Sequence, residues 1–314
     1  MTRRVAAVDC GTNSLRLLVA DVDLGRASLT DVERRMEIVR LGQGVDQTGR
    51  LASVALTRTA GVLRDYADVI AATAARSVRM VATSATRDAS NTAEFTRQVK
   101  EILGVAPEVL TGSEEAMLSF TGATAELART HGGPFLVVDI GGGSTEFVLG
   151  EAGEPAAHAL SVDIGCVRMT ERHLHGDPPT RDEVAAATAD IDAALDAVTD
   201  AVPVRQAQTL IGLAGSVTTV AGIAIGLPAY DAARIHHARI PAADVHLVTR
   251  GLLAQTRAAR AAIAVMHPGR VDVIGGGTLI LDRIMQRFGF SEVLVSEHDI
   301  LDGIAWSLAA NVRH

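Results

Sequence analysis

Short apolar runs of β type, each closed by a cluster of Gly, Ser and Thr, alternate along the chain with Ala-rich stretches of helical period. The first run, Val5–Asp9, ends in CGTNS and is followed by a second strand, Leu15–Val22. The same unit recurs as Phe135–Asp139, GGGST and Glu146–Leu149. Placing Asp9 on Asp139, an offset of 130, sets Val8, Gly11 and Ser14 on the identical Val138, Gly141 and Ser144. A second marker repeats at an offset of 132: VATSATR (Val81–Arg87) and LAGSVTT (Leu213–Thr219) share Ala82/Ala214, Ser84/Ser216 and Thr86/Thr218. VLTGSEE (Val109–Glu115) and VLVSEHD (Val293–Asp299) form a third pair, but there the spacing breaks, which predicts a helical insertion in the second half.

Internal repetition at this scale predicts a duplicated α/β architecture. Each half is expected to be a mixed sheet that starts with a hairpin, with helices making the later crossovers. The boundaries read as residues 1–122 plus 299–314 for the first domain and 123–298 for the second. GATAELARTHGGP links them through a helix and a Gly-Gly-Pro turn. Asp299–Val312 reads as a helix with Ile300, Ile304, Ala305 and Leu308 on one face, packing back on the first domain. Two similar domains facing each other predict a ligand cleft between them.

Composition narrows the chemistry. The 314 residues are 48% hydrophobic and carry 29 Lys+Arg against 37 Asp+Glu, a net charge of −8. That balance argues against a nucleic-acid coat or a basic membrane-surface protein, and 3% aromatic residues leave little for base stacking. Cys10 and Cys166 form no CxxC and are expected to be reduced thiols in a cytoplasmic protein. The N-terminus MTRRVAAVDCG lacks the apolar stretch of a signal peptide. The uncharged run Gln206–Tyr230 is long enough to span a membrane, but its polar residues and glycines fit a strand, a turn and a buried helix better.

An acidic chain binds an anion through local devices, and two are visible. A strand delivering Asp9 into GTNS, mirrored by one delivering Asp139 into GGGSTE, predicts a pair of phosphate clamps. Glycines let backbone N–H groups approach an anion; Asn13, Ser14, Ser144 and Thr145 add side-chain donors, and Arg16 and Arg87 suit phosphate oxygens. Neither turn is a Walker A loop or a dinucleotide fingerprint. Asp9, Asp139 and Glu146 offer the hard oxygen ligands that Mg²⁺ takes alongside substrate phosphate. In TGSEEAMLSFTG (residues 111–122), Ser113 is expected to cap a helix, with a carboxylate available to orient an attacking water. Periodicity alone does not choose between Glu114 and Glu115.

DCGTNSLRLLVAD, TSATRDASN, TGSEEAMLSFTG, DIGGGSTEF, GLAGSVTT and SEHDILDGIAW together resemble the exopolyphosphatase/guanosine pentaphosphate phosphatase (Ppx/GppA) family, in order and over nearly the whole chain. The resemblance implies two actin/sugar-kinase/Hsp70-like (ribonuclease H-like) domains. It also implies hydrolysis of a terminal phosphoanhydride, in inorganic polyphosphate or guanosine pentaphosphate, dependent on Mg²⁺ or on Mn²⁺ in its place. The catalytic member of the Glu pair then falls on Glu115. Asp139 and Glu146 match metal-associated acids, and Asn13, Ser14, Arg87, Gly141, Gly143 and Ser144 match phosphate-binding positions, with Gly142 inside the same loop. Longer members carry a further HD-type domain, so a chain ending at His314 is expected to favour short polyphosphate. A homodimer is expected from the family. Two other readings compete: a non-catalytic sensor of (p)ppGpp, which an intact Glu115 disfavours, and a kinase-like phosphotransferase, for which the GLAGSVTT loop offers little cover for a base.

His236, His237 and His267 are expected to pack rather than bind metal. Arg168 is a remote candidate for substrate contact, and Arg34, Arg35 and Arg40 are candidates for a polyanion path. The acids of SEHDILDG are expected to cap the last helix.

Overall fold

The structure, a computed structural model, describes residues 2–26, 28–125, 127, 132–154 and 156–311. Most of the linker helix expected within residues 122–134 lies outside the described residues beyond Ala125. The chain divides into two compact units, Met1–Ala125 with Asp299–His314, and Glu126–His298.

The first unit opens with the meander β1 (Thr2–Cys10), β2 (Ser14–Asp23) and β3 (Ser28–Ile38). There follow α1 (Val45–Thr48), α2 (Ser53–Ala72), β4 (Ser77–Ala82), α3 (Ser84–Asp88), α4 (Thr92–Leu103), β5 (Glu108–Val109) and α5 (Gly112–Thr124). The sheet order is β3-β2-β1-β4-β5, with β4 parallel to β1 and β5 parallel to β4. The apolar run of β1 is nearly continuous because both its faces are covered. Ala6, Val8 and Cys10 pack with Leu63 and Tyr66 of α2 and Phe95 and Val99 of α4, while Val5 and Ala7 face the other way. The strand β3 was not evident in the sequence: SLTDVERRMEI is mostly charged or exposed, as suits a sheet edge.

The second unit runs β6 (Phe135–Ile140), β7 (Thr145–Gly150), β8 (His158–Val162), α6 (Cys166–His173), α7 (Arg181–Ala201) and β9 (Thr209–Leu213). It continues with α8 (Ala214–Ala224), α9 (Ala232–Ile235), β10 (Arg239–Pro241), α10 (Ala242–Ala254), α11 (Arg257–Ala261), α12 (Ile274–Phe288) and β11 (Glu292–Val295). Its sheet order, β8-β7-β6-β9-β11-β10, repeats the order of the first sheet over five strands and adds β10 antiparallel at the edge. The pairing of VLTGSEE with VLVSEHD therefore holds, since β5 and β11 occupy the same place in the two sheets. The insertion is helical apart from β10. The uncharged run from Gln206 forms β9 and then α8, and no helix among the described residues is long and apolar enough to cross a membrane.

The chain then returns to the first unit as α13 (Ile300–Asn311). Ile300, Leu301, Ile304, Ala305 and Ala309 cover the face of the sheet that carries Val5, Ala7, Leu18, Ala20 and Val22. By the period-2 alternation of strands, Asp9 and Arg16 lie on this same face.

Candidate active site

The duplicated turn is the same in both units. Gly11 N donates to Ser14 O at 3.0 Å, and Gly141 N donates to Ser144 O at 3.0 Å. In each turn the carbonyls are tied to neighbouring chain. Thr12 O accepts from Gly42 N at 2.9 Å, and Asn13 O accepts from Val39 N and Arg40 N at 3.0 and 2.8 Å. Gly141 O accepts from Cys166 N, and Gly142 O from Val167 N and Arg168 N, at 2.9–3.1 Å. Arg168 Nε donates to Gly143 O at 2.7 Å, so this arginine props the loop. With the carbonyls bound, the N–H groups of Thr12, Asn13, Gly142 and Gly143 are left without a protein acceptor among the described residues. That is the arrangement of a backbone anion nest. Both turns are also seated too tightly for added bulk: a Cβ on Gly42 would stand 2.3 Å from Thr12 Cγ2, and one on Gly165 2.4 Å from Gly142 O.

The first unit concentrates unsatisfied buried atoms at this end of its sheet. Asp9 Oδ1, Thr12 Oγ1, Asn13 Oδ1 and Thr86 Oγ1 are buried without a hydrogen-bond partner among the described residues. Helix α3, which bears Thr86, is joined to β1 through its N-cap Thr83, whose N–H donates to Cys10 O at 3.2 Å. Buried polar atoms without partners are rare, and a cluster of them marks a place for water, an ion or a polar ligand.

Asp9 faces Arg16 across the β1–β2 ladder, and the same position in the repeat places Asp139 opposite Glu146. In the first pair Arg16 Nη2 and Nε donate to Asp9 Oδ2 at 2.7 and 3.0 Å, and Arg16 Nη1 binds Asp299 Oδ2. Burial raises the Asp9 carboxyl above its ordinary range, while the Arg16 charge and hydrogen bonds pull the other way. In the second pair both members are acids, buried to 8% and 1% exposure, with Ser161 Oγ donating to Glu146 Oε1 at 2.8 Å. Directly opposed residues have Cβ atoms about 5 Å apart, so two buried carboxylates there repel unless a cation or a proton intervenes. The first unit carries its cation in the chain as Arg16. The second fits a divalent ion held by one or two carboxylates and substrate phosphate, the ligand set Mg²⁺ prefers. Among the described residues no three His, Cys, Asp or Glu side chains gather as an all-protein metal cage.

The cap gives the two glutamates of α5 different surroundings. Thr111, not Ser113, is the N-cap, because the helix starts at Gly112. Glu114 is spent on the reciprocal box: its carboxylate accepts from Thr111 N at 2.9 Å and Thr111 Oγ1 at 2.8 Å, while its own N–H donates to Thr111 Oγ1 at 3.3 Å. Glu115 is turned inward at 8% exposure, and Arg87 Nη1 donates to its Oε2 at 3.2 Å and to Leu110 O at 2.9 Å. Arg87 therefore fixes the glutamate as well as supplying charge.

Several other expectations resolve locally. Asp299 Oδ1 accepts from Leu301 N at 3.0 Å and Asp302 Oδ2 from Asp299 N at 2.9 Å, so these acids do cap α13. Arg34 is paired with Asp31 and Asp302, and Arg35 with Glu33, which removes both from an open polyanion path. His267 Nδ1 accepts from Gly269 N at 3.1 Å. His236 stacks on His237 with centroids 3.7 Å apart and accepts from Glu297 N through Nδ1. Both cysteines are buried and free, and burial pushes the Cys166 thiol up to about 11.

One residue escaped the sequence reading. The side chain of Arg270 packs against α8, where a Cβ on Gly215 would stand 2.4 Å from its guanidinium, and its Nη1 donates to Thr219 Oγ1 at 3.3 Å. It makes no ion pair with an Asp or Glu among the described residues. Its only sequence signal was the glycine of GLAGSVTT, 55 positions away.

The family model of the Ppx/GppA phosphatases matches residues 18–311. The chain belongs to the Ppx/GppA phosphatase family. It is 52% identical to Exopolyphosphatase 2 of Mycobacterium tuberculosis, over 98% of both chains. It is 32% identical to the guanosine-5'-triphosphate,3'-diphosphate pyrophosphatase of Pseudoalteromonas atlantica, over 74% of this chain and 45% of that one. Among solved structures, an exopolyphosphatase-like protein superposes with a TM-score of 0.93 at 41% identity, covering 99% of this chain and 100% of the other. The two mixed sheets of this Ppx/GppA chain are thus the duplicated α/β architecture that the repeat predicted, in the actin-like fold that the family resemblance implied.

Proposed function

We propose that the chain is an exopolyphosphatase that releases terminal phosphate from inorganic polyphosphate by attack of a water oriented by Glu115. The observation carrying this reading is the division of labour in α5: Glu114 closes the capping box with Thr111, and Glu115 is buried and paired with Arg87. The name of the 52% identical relative supports polyphosphate as the substrate class.

The backbone N–H groups of the 11–14 turn take phosphate oxygens, with Asn13 and Ser14 in the same turn; the 141–144 turn, with Ser144, offers the same chemistry within the second unit. Glu115 accepts a proton as the water oxygen bonds to the terminal phosphorus. The P–O anhydride bond to the rest of the chain breaks, and its electron pair leaves on the shortened polyphosphate. The proton then passes to a product phosphate, restoring the carboxylate. Arg87 keeps Glu115 oriented and offsets charge as it spreads over the phosphoryl oxygens. A divalent ion at Asp139 and Glu146 would supply charge neutralisation to the phosphate chain.

A second reading, hydrolysis of guanosine pentaphosphate, is favoured by the similarity to the P. atlantica enzyme. Phosphate release from tripolyphosphate, long polyphosphate and guanosine pentaphosphate, measured in parallel with Mg²⁺ or Mn²⁺, separates the two and tests the expected preference for short chains. Release from neither polyphosphate would overturn the first reading, and release from guanosine pentaphosphate alone would establish the second.

A further inference from the structure

We infer that Asp299, through Arg16, is a positioning residue that holds Asp9 and the first phosphate turn in working geometry. The inference rests on the phosphohydrolase reading above, and it reassigns Arg16 from substrate binding to the protein's own framework.

Three contacts meet at Asp299. Its side chain binds Arg16 Nη1 through Oδ2 and caps α13 through Oδ1, with Leu301 N at 3.0 Å. Its backbone carbonyl packs against α5: a Cβ on Gly122 would stand 1.8 Å from Asp299 O, and one on Gly303 2.0 Å from Leu118 O. Two glycines thus let α13 and α5 touch backbone to backbone. One residue therefore grips the helix bearing Glu115 with its main chain and the arginine facing Asp9 with its side chain.

The charge arithmetic explains why Arg16 is unsuited to substrate. Its guanidinium is shared by two carboxylates, both nearly buried: Asp9 is 3% exposed and Asp299 6%. Breaking either pair to reach a phosphate would leave a buried carboxylate uncompensated, which is costly. The planar fork instead fixes the rotation of the Asp9 carboxylate. Oδ2 takes both hydrogen bonds from Arg16, and Oδ1 stays buried without a partner among the described residues, as do Thr12 Oγ1 and Asn13 Oδ1 of the turn that follows β1. The Asp299–Arg16–Asp9 chain thus leaves a single acceptor of Asp9 unused at the end of β1, where the turn begins.

Asp299→Asn is the discriminating variant, because Asn caps a helix as well as Asp does while its amide no longer balances the Arg16 charge. Steady-state phosphate release from polyphosphate is to be measured together with hydrogen exchange of residues 11–14 and the Tm. The expected result is a kcat lowered by about tenfold to a hundredfold, as for a small misplacement of reacting groups. KM is expected to change by less than about threefold, Tm to stay nearly constant, and exchange in the 11–14 turn to quicken. Arg16→Lys, whose point charge cannot bridge both acids, should show the same split. Unchanged kcat with unchanged exchange in D299N would overturn the inference. So would a loss confined to KM, which would return Arg16 and Asp299 to substrate binding. If the wild type releases no phosphate from any substrate, the functional reading fails, and exchange in the turn alone decides whether Asp299 positions it.

Discussion

At the scale of single residues, the repeat turns one structural position to two uses. Position 16 is Arg and position 146 is Glu, each facing an aspartate across its ladder. The first pairs an acid with a cation of the chain; the second sets two buried acids opposite each other and is the proposed place for a divalent ion. Asp139→Asn and Glu146→Gln should therefore weaken Mg²⁺ binding, measured by titration calorimetry with the ion and tripolyphosphate, by about tenfold or more, as for other losses of charged contacts in a desolvated site. Affinity unchanged in both would remove the metal from this pair. The aspartates and the Gly-Ser turns were legible in the sequence because they recur at one offset. Periodicity did not separate Glu115 from Glu114, which only the family resemblance did, because the capping box depends on Thr111 capping the helix two residues before the Ser113 expectation placed it.

At the scale of elements, backbone contact and capping set the geometry. Gly122 sits where α5 meets Asp299 O, so Gly122→Ala must push the helices apart and should cost about 3 kcal/mol or more in urea unfolding. Gly61, in the interior of α2, has open space at its Cβ, and Gly61→Ala should instead stabilise by about 0.5–1 kcal/mol. Equal effects at the two sites would contradict the packing described. Helix α7 begins with a second capping box, Thr180 with Glu183. Backbone donation from Thr180, then from Gly176 and His175, holds the Glu183 carboxyl below its ordinary range. Its stabilisation is present above the unfolded-state pKa and is lost as pH falls through the lowered folded value. Acid titration of stability should accordingly be shallower in Glu183→Gln than in the wild type, and identical acid limbs would refute the role. The strands with two covered faces could be read from continuous apolar runs. The edge strand β3 could not, because exposure lets SLTDVERRMEI stay charged. The two-residue β5 was marked only by its partner in the repeat.

At the scale of the whole molecule, two sheets of the same strand order carry two like turns and two unlike carboxylate environments. The repeat made this architecture readable from one sequence, since matching strands, turns and crossovers recurred at offsets of 130 and 132. Contacts that join distant segments stayed hidden: Arg16 to Asp299 across 283 positions, and Arg270 to Thr219 across 51. No periodicity encodes such pairs, and only the fold brings them together. The measurement that bears most directly on the account is phosphate release from polyphosphate by wild type and Glu115→Gln, alongside polyphosphate binding to both proteins. The account predicts turnover in the wild type, a loss of about 10²–10⁴-fold in the variant as expected for removal of a general base, and binding retained in both. Turnover that survives in Glu115→Gln would contradict it.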